Sequence, residues 1–98
     1  MAKSKHYVIQ DCVECDDRGE YSFKCDGQVS HTWEAAKAAA WARFAGHYSR
    51  ITGKAPPKSL IADFEEAMEH PQDGVPSFCV KTGKTFDVTV EILEREAV

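Results

Sequence analysis

Residues 32–51 form one long amphipathic segment, and this segment constrains the fold more than any other feature of the chain. At about 100° per residue, aromatic side chains recur on one face and small side chains on the opposite face. The aromatic face comprises Trp33, Ala36, Ala40, Phe44, Tyr48 and Ile51, and the small face comprises Ala35, Ala38, Ala39, Ala42, Gly46 and Ser49. This pattern predicts a helix between two layers, with a sheet against its aromatic face and a second helix or another protein against its small face. A second copy of the chain is one such partner.

The boundaries of two helices follow from capping residues and prolines. Thr32 is a favourable N-cap for the first helix, which is predicted to end near Gly53. The next helix is predicted to begin at Pro57 or Ser59 and to run through about His70, since Pro71 follows. Its apolar side comprises Leu60, Ile61, Phe64, Ala67 and Met68.

A hairpin is predicted on each side of the two helices. Residues 6–15 and 20–27 alternate around a polar turn, and placing Val13 opposite Phe23 gathers apolar side chains on one face. That face comprises Tyr7, Ile9, Val13, Cys15, Tyr21, Phe23 and Cys25.

Residues 77–81 and 85–93 are predicted to form the last hairpin, with its turn at residues 82–84. Pairing Val80 with Phe86 places the apolar residues of both strands on one face. That face comprises Phe78, Val80, Phe86, Val88, Val90 and Ile92.

The chain is therefore predicted to be a single α+β domain over residues 1–98, with the order β-β-α-α-β-β. Two antiparallel hairpins would pack against two helices, and residues 1–5 would form a disordered tail. Those first residues are polar, and no apolar run of signal-peptide or membrane-spanning length follows them. A cytoplasmic protein without a membrane partner is expected, with reduced cysteines.

Four cysteines raise the question of a metal site. Cys12, Cys15, Cys25 and Cys79 could supply the four thiolates of a tetrahedral zinc site. However, residues three apart in a strand point to opposite faces, which would separate Cys12 from Cys15. We therefore expect no cofactor, and we keep a structural zinc domain with a protein or nucleic-acid partner as the alternative. No sequence motif pairs a thiol with an imidazole, so a non-enzymatic protein is expected.

The charge is distributed unevenly along the chain. Residues 31–58 carry five basic residues and one acidic residue, whereas residues 59–98 carry three basic and nine acidic residues. Arg43, His47 and Arg50 follow one side of the first helix, and we call them the cationic stripe. They are candidates for contact with an anionic partner, and the alternative is that they face solvent or the acids of the second helix. Direct binding of nucleic acid is disfavoured by the pI of about 5.5.

Two acidic clusters predict contact with a protein that has a basic surface. The candidates are Asp16, Asp17 and Glu20 at the tip of the first hairpin and Glu65, Glu66 and Glu69 on the second helix. In size, acidity and compactness the chain resembles small phage-encoded inhibitors, including anti-CRISPR proteins. This resemblance implies a phage or mobile-element accessory protein that inhibits or modulates a bacterial nucleic-acid-handling complex through acidic surfaces.

Overall fold

A computed structural model describes residues 5–15, 20–24, 28–72, 74–82 and 86–96, with the backbone alone for Cys15, residues 20–24, Thr82 and Glu96. The elements are β1 (Lys5–Cys15), β2 (Glu20–Lys24), β3 (Val29–Ser30), α1 (Trp33–Thr52), α2 (Lys58–Glu69), β4 (Ser77–Thr82) and β5 (Phe86–Glu96). The predicted α+β class and the order β-β-α-α-β-β are confirmed, with the two-residue β3 as an additional strand. Neither helix is long and apolar enough to cross a membrane.

The first and last strands form the centre of a single antiparallel sheet. Its order is β2-β1-β5-β4, and β3 pairs with β1 beyond the end of β2. β1 and β5 pair over their whole length, from Lys5 opposite Glu96 to Cys15 opposite Phe86. The two predicted hairpins are therefore joined edge to edge. Lys5, which was predicted to belong to the tail, begins β1, and residues 1–4 lie outside the described residues.

The predicted register of the first hairpin is wrong by one residue. Val13 pairs with Ser22, and Phe23 pairs with Cys12. β1 is a central strand that half-buries Val8 and Cys12 on the face opposite Val13. Because apolar residues occur on both faces of such a strand, their alternation does not fix which residue of the neighbouring strand lies opposite.

The predicted register of the last hairpin is wrong by two residues. Val80 pairs with Val88, and Thr82 pairs with Phe86, so residues 83–85 connect the strands. A shift of two residues keeps every side chain on its face, because the side-chain period of a strand is two. The predicted shared face is therefore confirmed: Phe78, Val88, Val90 and Ile92 are buried, and Val80 and Phe86 pack against them.

The helices begin and end where local signals place them. Thr32 Oγ1 accepts a hydrogen bond from the Ala35 N–H (3.1 Å), which caps the first turn of α1. Gly53 ends α1 in the left-handed region (φ 73°), and its N–H donates to the Ser49 carbonyl (2.8 Å). α2 begins one residue after Pro57 and ends before His70.

Both helices pack on the same face of the sheet. The buried core comprises Ile9, Val13, Ala36, Ala40, Phe44, Phe64, Met68, Phe78, Val88, Val90 and Ile92. Phe78 of β4 contacts Phe44 of α1 and Phe64 of α2, with ring centroids 5.0 and 5.5 Å apart. The predicted packing of the aromatic face of α1 against a sheet is thus confirmed, and no described element covers the opposite face of the sheet.

The small face of α1 is not covered by α2. Ala38, Ala42 and Gly46 are exposed, and a Cβ atom added to Gly46 would meet nothing within 4 Å. α2 lies instead beside Trp41, whose ring is 5.2 Å from that of Phe64. The expectation that the second helix packs against the small face is therefore wrong, because Phe64 of α2 packs against Trp41 of α1 and Phe78 of β4.

Leucine substitutions on the two faces of α1 should have different effects. Ala42→Leu adds volume at an exposed position and should change the free energy of unfolding by less than about 0.5 kcal/mol. Ala40→Leu is its matched control, because Ala40 is fully buried, and overpacking should cost about 1–3 kcal/mol. Chemical denaturation measures both. Equal destabilisation would mean that the small face is covered in the folded protein.

Candidate functional site

α2 carries acidic residues on two flanks, and the flank facing α1 is paired with a lysine of α1. Lys37 Nζ lies 2.6 Å from Glu69 Oε1 and 3.0 Å from Glu65 Oε2. The indole Nε1–H of Trp33 donates to Glu69 Oε1 (3.0 Å). We call Glu65 and Glu69 the α1-facing flank. Two of the predicted binding residues are therefore engaged in holding α2 to α1.

The protonation equilibria of this cluster reflect the pairing. The hydrogen bonds to Glu69 and then Glu65 raise the pKa of Lys37 above its ordinary value. The hydrogen bonds from Lys37 and then Trp33 lower the pKa of Glu69. Each group thus favours the charged form of the other over a wide pH range around neutrality.

The other flank of α2 borders an open groove. Asp63 and Glu66, which we call the groove flank, line a cavity of about 390 Å³ between α2 and the edge strand β4. Ser77, Phe78 and Cys79 line its β4 side. Among the described residues, no cation forms an ion pair with Asp63 or Glu66. The groove flank is therefore the part of the acidic helix whose charge remains available to a partner.

A histidine and a cysteine also line the groove. These are His70 and Cys79, and no hydrogen bond between them occurs in the described part of the chain. Cys79 lies on the face of the sheet opposite the buried Phe78. This geometry gives no support for a nucleophile–base pair.

The cationic stripe is directed at the sheet and not at α2. Asp11, on the buried face of β1, is 3% exposed and accepts bonds from two members of the stripe. Arg43 Nη1 lies 3.0 Å from its Oδ1, and His47 Nε2 lies 2.5 Å from its Oδ2. Arg43 Nε also donates to Gln28 Oε1 (2.8 Å). The alternative prediction that the stripe faces the acids of α2 is wrong, because Asp11 is its partner.

The contacts of His47 define its tautomer. Arg50 Nη2 lies 2.7 Å from His47 Nδ1, and a guanidinium can only donate. Nδ1 must therefore accept, and Nε2 carries the proton that is donated to Asp11. Both ring nitrogens of His47 are therefore engaged within the fold. Within the stripe only Arg50 is exposed.

The four cysteines are placed differently from one another. Cys12 and Cys79 lie on the uncovered face of the sheet, each opposite Thr89 of β5, which separates them. Burial, followed by the charge of Glu14, raises the pKa of Cys12 and favours its thiol. Cys25 lies outside the described residues, and only the backbone of Cys15 is described.

The zinc alternative stays a prediction. No group of three metal-binding side chains occurs within the described ranges, which include only two of the four thiols. The metal content of protein purified without chelator tests it, since a structural zinc ion would be lost together with the fold on chelation.

The predicted tip of the first hairpin lies mostly outside the described residues. Asp16 and Asp17 lie outside the described residues, and Glu20 is the first residue of β2. Their role in binding stays a prediction.

Two carboxylates of these clusters were not predicted as such from the sequence, although each left a signal. Asp63 shares the spacing of Glu66 and His70 (i, i+3, i+7), which places the three on one side of a helix. Asp11 lies between Ile9 and Val13 at a position where the alternation of β1 requires a buried residue. A carboxylate at such a position predicts a cationic partner.

Removal of the buried carboxylate should destabilise the domain. Asp11→Asn keeps the side-chain volume but leaves the charge of Arg43 unbalanced. Breaking a buried ion pair costs about 3–5 kcal/mol, and the partial exposure of Arg43 and His47 puts the expected loss at about 3 kcal/mol. Asp63→Asn, at an exposed position, is the control and should change stability by less than about 0.5 kcal/mol. Urea denaturation measures both, and equal values would exclude the ionic network as a structural element.

Lys37→Met should raise the pKa of Glu69 towards its ordinary value of 4.5, as measured by carboxyl NMR titration. Because the pKa of Glu69 is lowered in the folded protein, ionised Glu69 stabilises the fold at pH values above its unfolded-state pKa. This contribution is lost as the pH falls through its folded-state pKa. Because the pKa of Lys37 is raised in the folded protein, its charge stabilises the fold at pH values below the ordinary lysine pKa of 10.5. This contribution is lost as the pH rises through the folded-state pKa of Lys37. The variant should therefore show a shallower loss of stability in acid. An unchanged titration of Glu69 would contradict the pairing.

Comparison with known proteins adds no assignment. No family model, curated protein or solved structure matches the chain. The candidate site therefore rests on the geometry of the groove and on its charges.

Proposed function

We propose that this protein is a small non-enzymatic binding module whose groove between α2 and β4 receives a basic segment of a partner protein. One observation carries the proposal: Asp63 and Glu66 face this groove without a described cation, whereas Glu65 and Glu69 on the same helix are paired with Lys37. An acidic groove of about 390 Å³ is large enough to receive a lysine or arginine side chain.

The charge favours a basic protein over a nucleic acid. Carboxylates repel phosphates, and the chain has a net charge of −4. The cationic stripe, which would be the natural contact for phosphates, is largely engaged with Asp11. A basic protein surface gains from electrostatic complementarity in both affinity and association rate.

A nucleic-acid-handling protein is the partner class that we favour. Such proteins present lysines and arginines to the phosphate backbone, and an acidic module that occupies those residues would inhibit or modulate nucleic-acid binding. The proposed setting is the cytoplasm. The acidic residues Asp16, Asp17 and Glu20 could extend the contact beyond the groove.

Two double variants with the same change in net charge test the site. Asp63→Asn with Glu66→Gln removes the groove flank, and Glu65→Gln with Glu69→Gln removes the α1-facing flank. The probe is an acetylated extended peptide in which lysine and valine alternate, titrated by NMR at low salt. The groove variant should bind about tenfold more weakly, equivalent to about 1.4 kcal/mol. The α1-facing variant should bind nearly as well as the wild type.

Two outcomes would overturn the proposed site. Equal weakening by both double variants would mean that the peptide responds to net charge alone. Binding that is unaffected by either pair would place the contact elsewhere, and the additional reversal of Asp16 and Asp17 would then show whether the predicted hairpin tip is responsible. Higher salt should weaken the specific contact, since exposed charges are screened over about 8–10 Å.

A further inference from the structure

The free side of β4 exposes backbone hydrogen-bonding groups at known positions. Within the described residues, β4 lies at the edge of the sheet and pairs only with β5. The Ile92 N–H donates to the carbonyl of Pro76 (3.0 Å). In an antiparallel pair, alternate residues direct their N–H and C=O groups to the partner strand. Phe78, two residues after Pro76, therefore bonds with β5, whereas Ser77 and Cys79 direct their backbone groups away from it.

These outward groups lie beside the acidic groove. Ser77 and Cys79 line the same cavity as Asp63 and Glu66. In the part of the chain that the structure describes, no residue outside β5 pairs with the backbone of Ser77 or Cys79. The groove thus combines two carboxylates on its helix side with unpaired donors and acceptors on its strand side. This combination suits a ligand that has both a basic side chain and an extended backbone.

We infer that the basic segment binds as an added β-strand along β4, an inference that rests on the proposed function of the groove. Strand addition supplies main-chain hydrogen bonds for affinity, and alternate side chains supply specificity. Side chains on the helix side of the added strand would lie towards Asp63 and Glu66. The occupant is therefore an extended peptide with lysine or arginine at alternate positions.

The ends of β4 limit the length of the added strand. β4 begins at Ser77 and ends at Thr82. The added strand therefore spans only a few residues. Such a short contact predicts a weak and rapidly reversible complex unless the partner makes further contacts.

A proline substitution tests strand addition with little effect on the sheet. Cys79→Pro removes an N–H that points away from β5, and proline is tolerated on an edge strand in this orientation. Cys79→Ala is the matched control, because it removes the thiol and keeps the N–H. With the alternating lysine–valine peptide as probe, Cys79→Pro should bind about tenfold or more weakly than Cys79→Ala. Circular dichroism checks that both variants are folded.

Hydrogen exchange of the wild-type protein provides a second measurement that needs no substitution. The amides of Ser77 and Cys79 should exchange rapidly in the free protein and become protected when the peptide is bound. A peptide of the same sequence, N-methylated at alternate residues on its hydrogen-bonding side, keeps its charge but cannot donate. It should neither bind tightly nor protect these amides.

The outcomes distinguish the binding mode from the proposed function. If binding depends on Asp63 and Glu66 while N-methylation and Cys79→Pro have no effect, the groove binds basic side chains and strand addition is overturned. If Ser77 and Cys79 become protected but neutral and basic peptides bind equally, strand addition stands and the proposed selectivity fails. If neither the neutral nor the basic peptide binds at millimolar concentration, strand addition and the proposed function of the groove are both overturned.

Discussion

The pairing of β1 with β5 is the constraint on which the rest of the structure depends. It joins the two ends of the chain in the middle of the sheet, from Lys5–Glu96 to Cys15–Phe86. β2 and β3 then occupy the free side of β1, and β4 occupies the free side of β5. Because β4 follows α2 in the chain, this order places an edge strand beside an acidic helix. The candidate groove is thus a direct consequence of sheet topology.

Charged residues fix the helices over this sheet. Asp11 lies on the buried face of β1, and its carboxylate requires cationic partners. Arg43 provides the cation from α1 and His47 provides a second hydrogen-bond donor, and together they set the rotation of that helix. Lys37, on the same helix, then binds the α1-facing flank of α2. Replacement of buried ion pairs by apolar residues is often neutral or stabilising. We therefore regard the network as a determinant of orientation more than of net stability.

Local features of this fold could be predicted from the sequence, whereas pairings between distant segments could not. The N-cap at Thr32 and the left-handed Gly53 are encoded by a few adjacent residues, and both boundaries were placed correctly. Alternation in the last hairpin identified the buried face but not the register, because a two-residue shift leaves the face unchanged. The contact between β1 and β5 has no local signal, since alternation indicates which side chains are buried and not which strand is the neighbour.

The candidate site shows the same limit at the level of charge. Composition indicates that α2 is acidic, but its carboxylates differ in their contacts because Lys37 of α1 pairs with Glu65 and Glu69. That cation is distant in the sequence, so the division between the two flanks appears only once both helices are placed on the sheet.

A stripe of one charge sign therefore does not by itself locate a binding surface. The cationic stripe is a second example of this limit. Arg43 and His47 contact one buried aspartate, whereas no described cation forms an ion pair with Asp63 or Glu66 beside the edge of the sheet. In the proposed binding mode, the position of these carboxylates next to backbone groups without a described partner, and not the total charge, would direct a basic partner to the groove.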